Sequence, residues 1–304
     1  MRLIRDFEPG GKRVAALGTF DGVHRAHQEL LRQGRAFADA AGCPLRVYTF
    51  DRHPLEVLRP EKAPRILTTR EEQMARMEKA GAEELRILPF TRETADMPPE
   101  DFLRLLREEN SLAAVVAGWN YTFGRRGQGN AETLRRDGEK HGYRVIIVPS
   151  VTTDAGEIIS STAIREKLGR GDLSGAEKML GYDYALSGPV VNGKHQGTRI
   201  GFPTANIRTN PRKLLPAYGV YAARMRCGEK SWPAVVNIGL QPTIPSGAVT
   251  VEAHAIGAGG NFYGEAAAVE LKARLRGEIR FGSIEELKAQ IERDRAEALR
   301  RMGG

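Results

Sequence analysis

Short apolar runs alternate with longer amphipathic stretches through the first part of the chain. Val14–Gly18, Leu45–Phe50, Glu84–Leu88, Ala113–Gly118 and Arg144–Val148 read as buried strands, because each is a short run rich in apolar residues. Between them, Ala26–Ala40, Arg70–Ala80, Pro99–Glu109 and Ala131–His141 carry a helical period. Strand and helix in turn predict an α/β domain with a parallel sheet covered on both faces. Ligands of such sheets bind outside the carboxyl ends of the strands. Polar stretches rich in glycine, histidine or hydroxyl groups fall at those ends: GTFDGVH, TFDRHP, AGWNYTFG and the later ISSTAIR.

After GDLSGAEKMLGYDY the period changes. LSGPVV, GVYAARM, PAVVNIG, TVEAHAI and AAAVELKARL are short apolar runs broken by Gly, Pro and Asn. They predict antiparallel strands, most simply closed into a small barrel. A helix then opens with Ser283 as N-cap and Glu286 three residues on, carrying Ile284, Leu287 and Ile291 inward. The change of period places a domain boundary at 182, giving domains 1–182 and 183–304.

A chain of 304 residues is long enough for two cores. No apolar run approaches the ~18 residues of a membrane helix, and MRLIRDFEPGG is too polar for a signal peptide. Cys43 and Cys227 are far apart and lack partner motifs, which implies neither a disulfide framework nor a zinc site. A cytoplasmic location follows as the expectation. The net charge of +8 invites a nucleic-acid reading. However, basic residues are interspersed with acidic ones, as in IERDRAEALRR, and there is no basic block or aromatic-interleaved stripe. A positive surplus equally suits polyphosphate substrates.

In GTFDGVHRAHQ, His24 and His27 lie one helical turn apart behind Gly18 and Gly22. An isolated H-x-x-H is most often one capping and one partly buried histidine. Here the expected strand–turn–helix corner adds free N–H groups and a partial positive charge, a setting for triphosphate oxygens. The stretch resembles the bacterial FAD synthetase signature G-x-F-D-G-x-H-x-G-H, with Ala26 where the family has glycine. TFDRHP resembles the family's T-F-x-P-H-P, with Arg52 in place of proline. AGWNYTFG resembles its flavin- and nucleotide-side loop, with Asn120 and Gly124 at key positions, and ISSTAIR its S-S-T-x-I-R. The resemblance implies a Rossmann-like nucleotidyltransferase domain. It implies nucleotide-binding roles for Gly18, Phe20, Asp21, Gly22, His24, His27, Asn120, Ser161 and Thr162. His53 and Asn120 would lie on the flavin side, and His24, His27 and Arg165 would be catalytic.

In the second half, Gly193, Gly197 and Gly201 recur through the polar loop GKHQGTRIGFPTAN. In an extended segment Thr204 and Asn206 point to one side, where a hydroxyl and an amide oxygen offer hard ligands for Mg²⁺. Taken alone, a Thr and an Asn ending a strand are more often turn formers. The segment resembles the riboflavin kinase fingerprint G-x-x-x-G-R-x-L-G-F-P-T-A-N, with Thr198 at the arginine position and Arg199 one place later. GVYA, VNIGLQPT, VEAHAI, NFYG and LRGEIRF follow in the family's order, although IGAGGNFYG lacks the usual acidic residue. This resemblance implies nucleotide binding by Gly193, Lys194, Gly197, Gly201 and Pro203, and Mg²⁺ held by Thr204 and Asn206. Glu252 would be the catalytic carboxylate and Arg276 a flavin-side arginine. By itself Glu252 reads as a strand glutamate facing solvent.

The resemblance covers almost the whole chain and identifies it as similar to bifunctional riboflavin kinase/FAD synthetases. It implies phosphorylation of riboflavin to FMN by ATP, then adenylylation of FMN to FAD with release of pyrophosphate. Substrates and products would be riboflavin, FMN, FAD and ATP, with no nucleic-acid or membrane partner and the oligomeric state open. Two rivals remain: a kinase with a weakened adenylyltransferase half, resting on Ala26, Arg52 and the shifted Arg199, and, from another class, a flavin- or nucleotide-binding regulator without turnover.

Overall fold

The computed structural model describes residues 1–6, 10–193, 197, 200–240, 249–259 and 262–302. Lys194, Thr198 and Arg199 lie outside the described residues. The chain divides into two compact units, Met1–Ser161 and Thr162–Gly304.

The first unit is a six-stranded parallel sheet. Its strands are β1 (Arg2–Ile4), β2 (Gly10–Leu17), β3 (Leu45–Phe50), β4 (Glu84–Leu88), β5 (Asn110–Gly118) and β6 (Arg144–Val148), in the order β1-β4-β3-β2-β5-β6. All five expected strands are present. The short edge strand β1 was not legible, because three residues carry no period. The central strands are apolar on both faces because helices cover both. Val14, Ala16, Val47 and Val116 pack with Leu30, Leu31 and Ala38 of α1 (Arg25–Ala41). Ala15, Leu17, Val115 and Ala117 pack with Phe102, Leu103 and Leu106 of α5 (Pro99–Glu109). Between these lie α2 (Leu55–Leu58), α3 (Arg70–Lys79) and α4 (Arg92–Ala95), and α6 (Ala131–His141) follows β5. After β2 the chain builds outward through β3 and β4, then returns to lay β5 on the other side of β2. The connections leaving β2 and β5 therefore part at their carboxyl ends, which makes the crevice where open parallel sheets bind ligands.

In the second unit, β7 (Ala185–Val191), β8 (Ala205–Ile207), β9 (Gly219–Cys227), β10 (Lys230–Leu240), β11 (Val249–Ala255) and β12 (Ala266–Arg276) form a closed antiparallel barrel, ordered β10-β11-β8-β7-β12-β9. The terminal helix α9 (Ile284–Met302) lies across β9, β10 and β12, with Ala298 against Val220, Ala222 and Val235. Its start matches the sequence in part: Ser283 Oγ accepts from Glu286 N–H (3.2 Å), but the Glu286 carboxylate turns to the Gly282 N–H. Leu287 and Ile291 are half-buried on the same face as the buried Asp294 and Ala298, as expected, but Ile284 in the first turn is exposed.

Helices α7 (Ser161–Arg170) and α8 (Leu173–Leu180) precede the change of period at 182, yet they pack with the barrel. The Leu168 carbonyl accepts from Ala217 N–H (2.9 Å) and α8 lies against β12. Packing thus divides the chain earlier than the sequence period does. Cys43 is buried in the first unit and Cys227 in the second, both as free thiols.

The buried side chains of α8, Leu173, Ala176, Met179 and Leu180, make a prediction. A fragment of residues 162–304 should unfold cooperatively, whereas one beginning at residue 183 should melt several degrees lower. Equal melting temperatures by circular dichroism would show that these helices add nothing to the barrel.

Candidate active sites

Strand β2 ends at Leu17, and the chain turns through residues 18–24 before α1 begins. That turn is strained. Gly22 has φ 85°, and the non-glycine residues Phe20 and Val23 have φ 53° and 36°, a region costing on the order of 1–3 kcal/mol each. Neighbouring elements hold it in place. Asp21 Oδ1 accepts from the N–H groups of Leu67 (2.9 Å) and Thr68 (3.2 Å), and Thr68 Oγ1 accepts from Gly22 N–H (3.1 Å). The Thr19 carbonyl accepts from Thr49 Oγ1 (3.1 Å) and Gln73 Nε2 (2.9 Å). Ser161 Oγ donates to the Asp21 carbonyl (2.9 Å).

The turn delivers His24 to the N-cap of α1 and His27 to its first turn. His24 Nδ1 accepts from His27 N–H (3.4 Å), so the neutral ring carries its proton on Nε2. The two rings stack, with centroids 3.7 Å apart, and Phe20 lies 5.1 Å from His27. Burial and then the neighbouring His24 hold the His27 pKa well below its ordinary value of 6.5, so the ring is neutral near pH 7. His27 Nδ1 is buried and meets no hydrogen-bond partner among the described residues. No acidic residue occupies the first turn of α1. The helix start therefore keeps its partial positive charge. Such a corner is chemically suited to an anion. Ala26, half-buried, sits between the histidines.

Two more expected stretches end neighbouring strands. After β3, His53 Nδ1 accepts from Leu55 N–H (3.1 Å). Asp51 Oδ1 accepts from Phe90 N–H (2.8 Å), while Oδ2 pairs with Arg52 (2.8 Å). Burial acts to raise the Asp51 pKa, but the bonds from Arg52 and Phe90 outweigh it and hold the carboxyl below its usual range. After β5, Trp119 and Asn120 are exposed beside the crevice. Gly124 has φ 69°, and a Cβ there would meet the Pro99 backbone at 2.8 Å.

In the barrel, cross-strand register assembles a polar rung. Glu252 on β11 is paired with Asn206 on β8 and with Asn237 on β10, and Asn237 with Val220 on β9. Directly opposed residues share a face with Cβ atoms ~5 Å apart, so Glu252 stands between two amide side chains. It is half-buried, with Oε1 accepting from Thr250 Oγ1 (3.4 Å). Gly193 lies over Asn206: a Cβ at Gly193 would come within 2.1 Å of Asn206 Nδ2. Hydroxyl, amide and carboxylate oxygens on adjoining positions form a hard-donor set suited to Mg²⁺. Among the described residues no group of three or more His, Cys, Asp or Glu could hold a metal, so a Mg²⁺ here would take its other ligands from nucleotide and water.

Residues 8–163 match the FAD synthetase family and residues 180–302 the riboflavin kinase family. The bifunctional riboflavin kinase/FMN adenylyltransferase of Escherichia coli (strain K12) is 35% identical over 97% of this chain and 96% of its own length. The enzyme of that name from Bacillus subtilis (strain 168) is 34% identical over 96% and 93%. The chain belongs to the bifunctional riboflavin kinase/FAD synthetase family. A crystal structure of a Streptococcus pneumoniae protein, described as a macrolide-efflux protein, shares the fold with a TM-score of 0.88 and 30% identity over 97% of both chains. Among the described residues of the present chain, no helix is long and apolar enough to cross a membrane.

Three of the expected site residues are also engaged by groups within the fold. Phe20 is fully buried, packed close to Gly18 and His27. The Asp21 carboxylate is engaged by backbone amides and acts as a brace. Arg276 is bound to Asp294 of α9 through Nε (3.1 Å) and Nη2 (2.8 Å), which pins the terminal helix. Thr162 and Arg165 lie on α7, in the second unit. The sequence reading missed Thr68, Gln73, Asp294 and Asn237. The capping box of Thr69 and Glu72 in LTTREEQ was the available signal for the first two. The partners of Asp294 and Asn237 are distant in the chain and left none.

Two expectations follow. Asp21→Ala leaves two buried N–H groups unmet and should lower stability by about 2 kcal/mol, read by urea denaturation. Arg276→Ala strands a buried carboxylate and should cost roughly 3 kcal/mol or more. A third concerns pH. The unfolded His27 takes a proton near 6.5 and the folded ring does not, so the unfolded state binds more protons. Stability should therefore fall as pH drops below 6.5 toward the depressed folded value. His27→Gln should flatten that part of the stability–pH curve, and an unchanged slope would mean that the ring is protonated in the fold.

Proposed function

We propose that this chain phosphorylates riboflavin to FMN in the barrel and adenylylates FMN to FAD in the parallel-sheet unit, with ATP as co-substrate in both steps. The observation that carries the reading is the pairing of two separate anion-ready sites with the two family matches, one in each unit. In the adenylylation, an FMN phosphate oxygen attacks the α-phosphorus of ATP and the bond to the β-phosphate bridging oxygen breaks. The departing pyrophosphate gains charge. His24 Nε2–H, the His27 ring and the positive end of α1 would meet that charge without having to reorganise. Gly18, Gly22 and Ser161 keep backbone and hydroxyl close to the nucleotide. Thr162 and Arg165 are proposed to join them, with His53 and Asn120 on the flavin side.

In the kinase step the ribityl 5′-hydroxyl attacks the γ-phosphorus, the bond to ADP breaks, and the hydroxyl proton passes to Glu252. Thr204 and Asn206 would hold Mg²⁺, whose chemistry when bound is to neutralise phosphate charge. Gly193, Lys194, Gly197, Gly201 and Pro203 would line the nucleotide. The supporting geometry is the rung that sets Glu252 directly beside Asn206. A cytoplasmic enzyme without nucleic-acid partners fits the charge pattern, since basic residues on exposed helices pair with acidic neighbours, as Arg295 does with Glu292 and Arg301 with Glu297.

The test is flavin speciation by chromatography in two variants, each given riboflavin or FMN with ATP and Mg²⁺. His27→Ala should slow FAD formation on the order of 10²-fold or more while FMN still forms and accumulates. Glu252→Gln should abolish FMN formation yet still convert supplied FMN to FAD. Loss of both steps in either folded variant would replace the two sites with one.

A further inference from the structure

The strand that carries Thr204 and Asn206 is poorly tied to its neighbour. β8 has three residues, and its ladder to β11 consists of two pairs, Glu252 with Asn206 and Ala253 with Ala205. One step further the register would set His254 opposite Thr204, but no pair forms there, and Pro203 has no N–H to offer. The side chain of His254 bridges this gap. Its Nδ1 lies 2.8 Å from the Pro203 carbonyl oxygen. A carbonyl can only accept, so Nδ1 carries the proton. The other nitrogen, Nε2, is enclosed and has no hydrogen-bond partner among the described residues. The ring's orientation therefore rests on the Nδ1 bond and on packing. That packing comes from Phe202, whose ring meets His254 edge-on at 5.7 Å and is covered on α9 by the Arg295 guanidinium, 5.7 Å from its centroid. Phe202 N–H also donates to the Gly197 carbonyl (2.8 Å), fixing the far side of the loop.

We propose that His254 is a positioning residue of the kinase site: through Nδ1–H it holds the Pro203 carbonyl and thereby sets where Thr204 and Asn206 present their oxygens. The inference rests on the assignment of Thr204, Asn206 and Glu252 to the kinase step. The same strand thus carries Glu252 and, two residues on, the group that holds the facing segment. A small displacement of a metal-ligating segment raises the barrier without unfolding the barrel.

The two ring nitrogens make the proposal separable from a general packing role. In His254→Asn the amide Nδ2 occupies the place of Nδ1 and keeps the donor. In His254→Gln the amide reaches toward the place of Nε2, and in His254→Ala both nitrogens are lost. The full-length chain should be assayed for FMN formation with Mg·ATP and riboflavin varied separately, and for hydrogen–deuterium exchange at the amides of Thr204 and Ala205 without substrate. His254→Ala and His254→Gln should raise the KM for Mg·ATP about tenfold, the equivalent of one net hydrogen bond, and accelerate exchange at those amides. The riboflavin KM and conversion of FMN to FAD should stay unchanged. His254→Asn should remain within about twofold of the parent in both readouts, as expected if the Nδ1 donor is what matters. Wild-type exchange and KM in His254→Ala would overturn the proposal, as would rescue by Gln in place of Asn. Thr204→Ala serves as the separate control. If it leaves FMN formation intact, the assignment of the segment itself is wrong, whatever His254 does.

Discussion

The first unit depends on keeping a strained turn shut. Between β2 and α1 two side-chain-bearing residues sit at positive φ, and nothing local to the turn favours that conformation. It persists because Phe20 and Val23 are driven fully into the core, each worth roughly 2 kcal/mol of apolar burial. The remaining hold comes from outside the turn, where Asp21 and the Thr19 carbonyl are hydrogen-bonded by the segment leading into α3, by Gln73 of α3 and by the end of β3. Position is thus imposed by the sheet and handed to the helix start. The two histidines are where they are because the backbone cannot relax.

The barrel solves a comparable problem by register. The neighbours of Glu252 are brought to it by antiparallel pairing, one residue from each adjoining strand. A one-residue slip of β11 would turn Glu252 to the opposite face, away from both asparagines. The difference between the two units is one of energetic source. The first stores strain and offsets it by burial, and the second relies on ladder hydrogen bonds and on the ion pair between Arg276 and Asp294.

Much of this was readable in the amino-acid order. Val14–Gly18 and its fellow strands could be found because a strand buried on both faces is a short run rich in apolar residues, and His24 and His27 because their spacing is local. What could not be read were roles decided by partners far along the chain. Asp21 looks like a ligand until Leu67 and Thr68 are beside it, and Arg276 looks free until Asp294 arrives from the last helix. Ile284 misled because an apolar residue in the first turn of a helix can project past the end of the surface that the helix covers. Asn237 was invisible as a site residue for a related reason: its place beside Glu252 exists only in the sheet.

The two cysteines, one enclosed in each unit, give the molecule a built-in pair of opening sensors. Burial raises the thiol pKa of Cys43, and burial together with the bond to Glu265 pushes that of Cys227 up to about 11. Thiolate is the reactive form, so neither is nucleophilic in the closed fold. Alkylation of either sulfur then reports the opening of the unit around it. Mapping which of the two is labelled first would rank the local stabilities of the sheet unit and the barrel within one native chain.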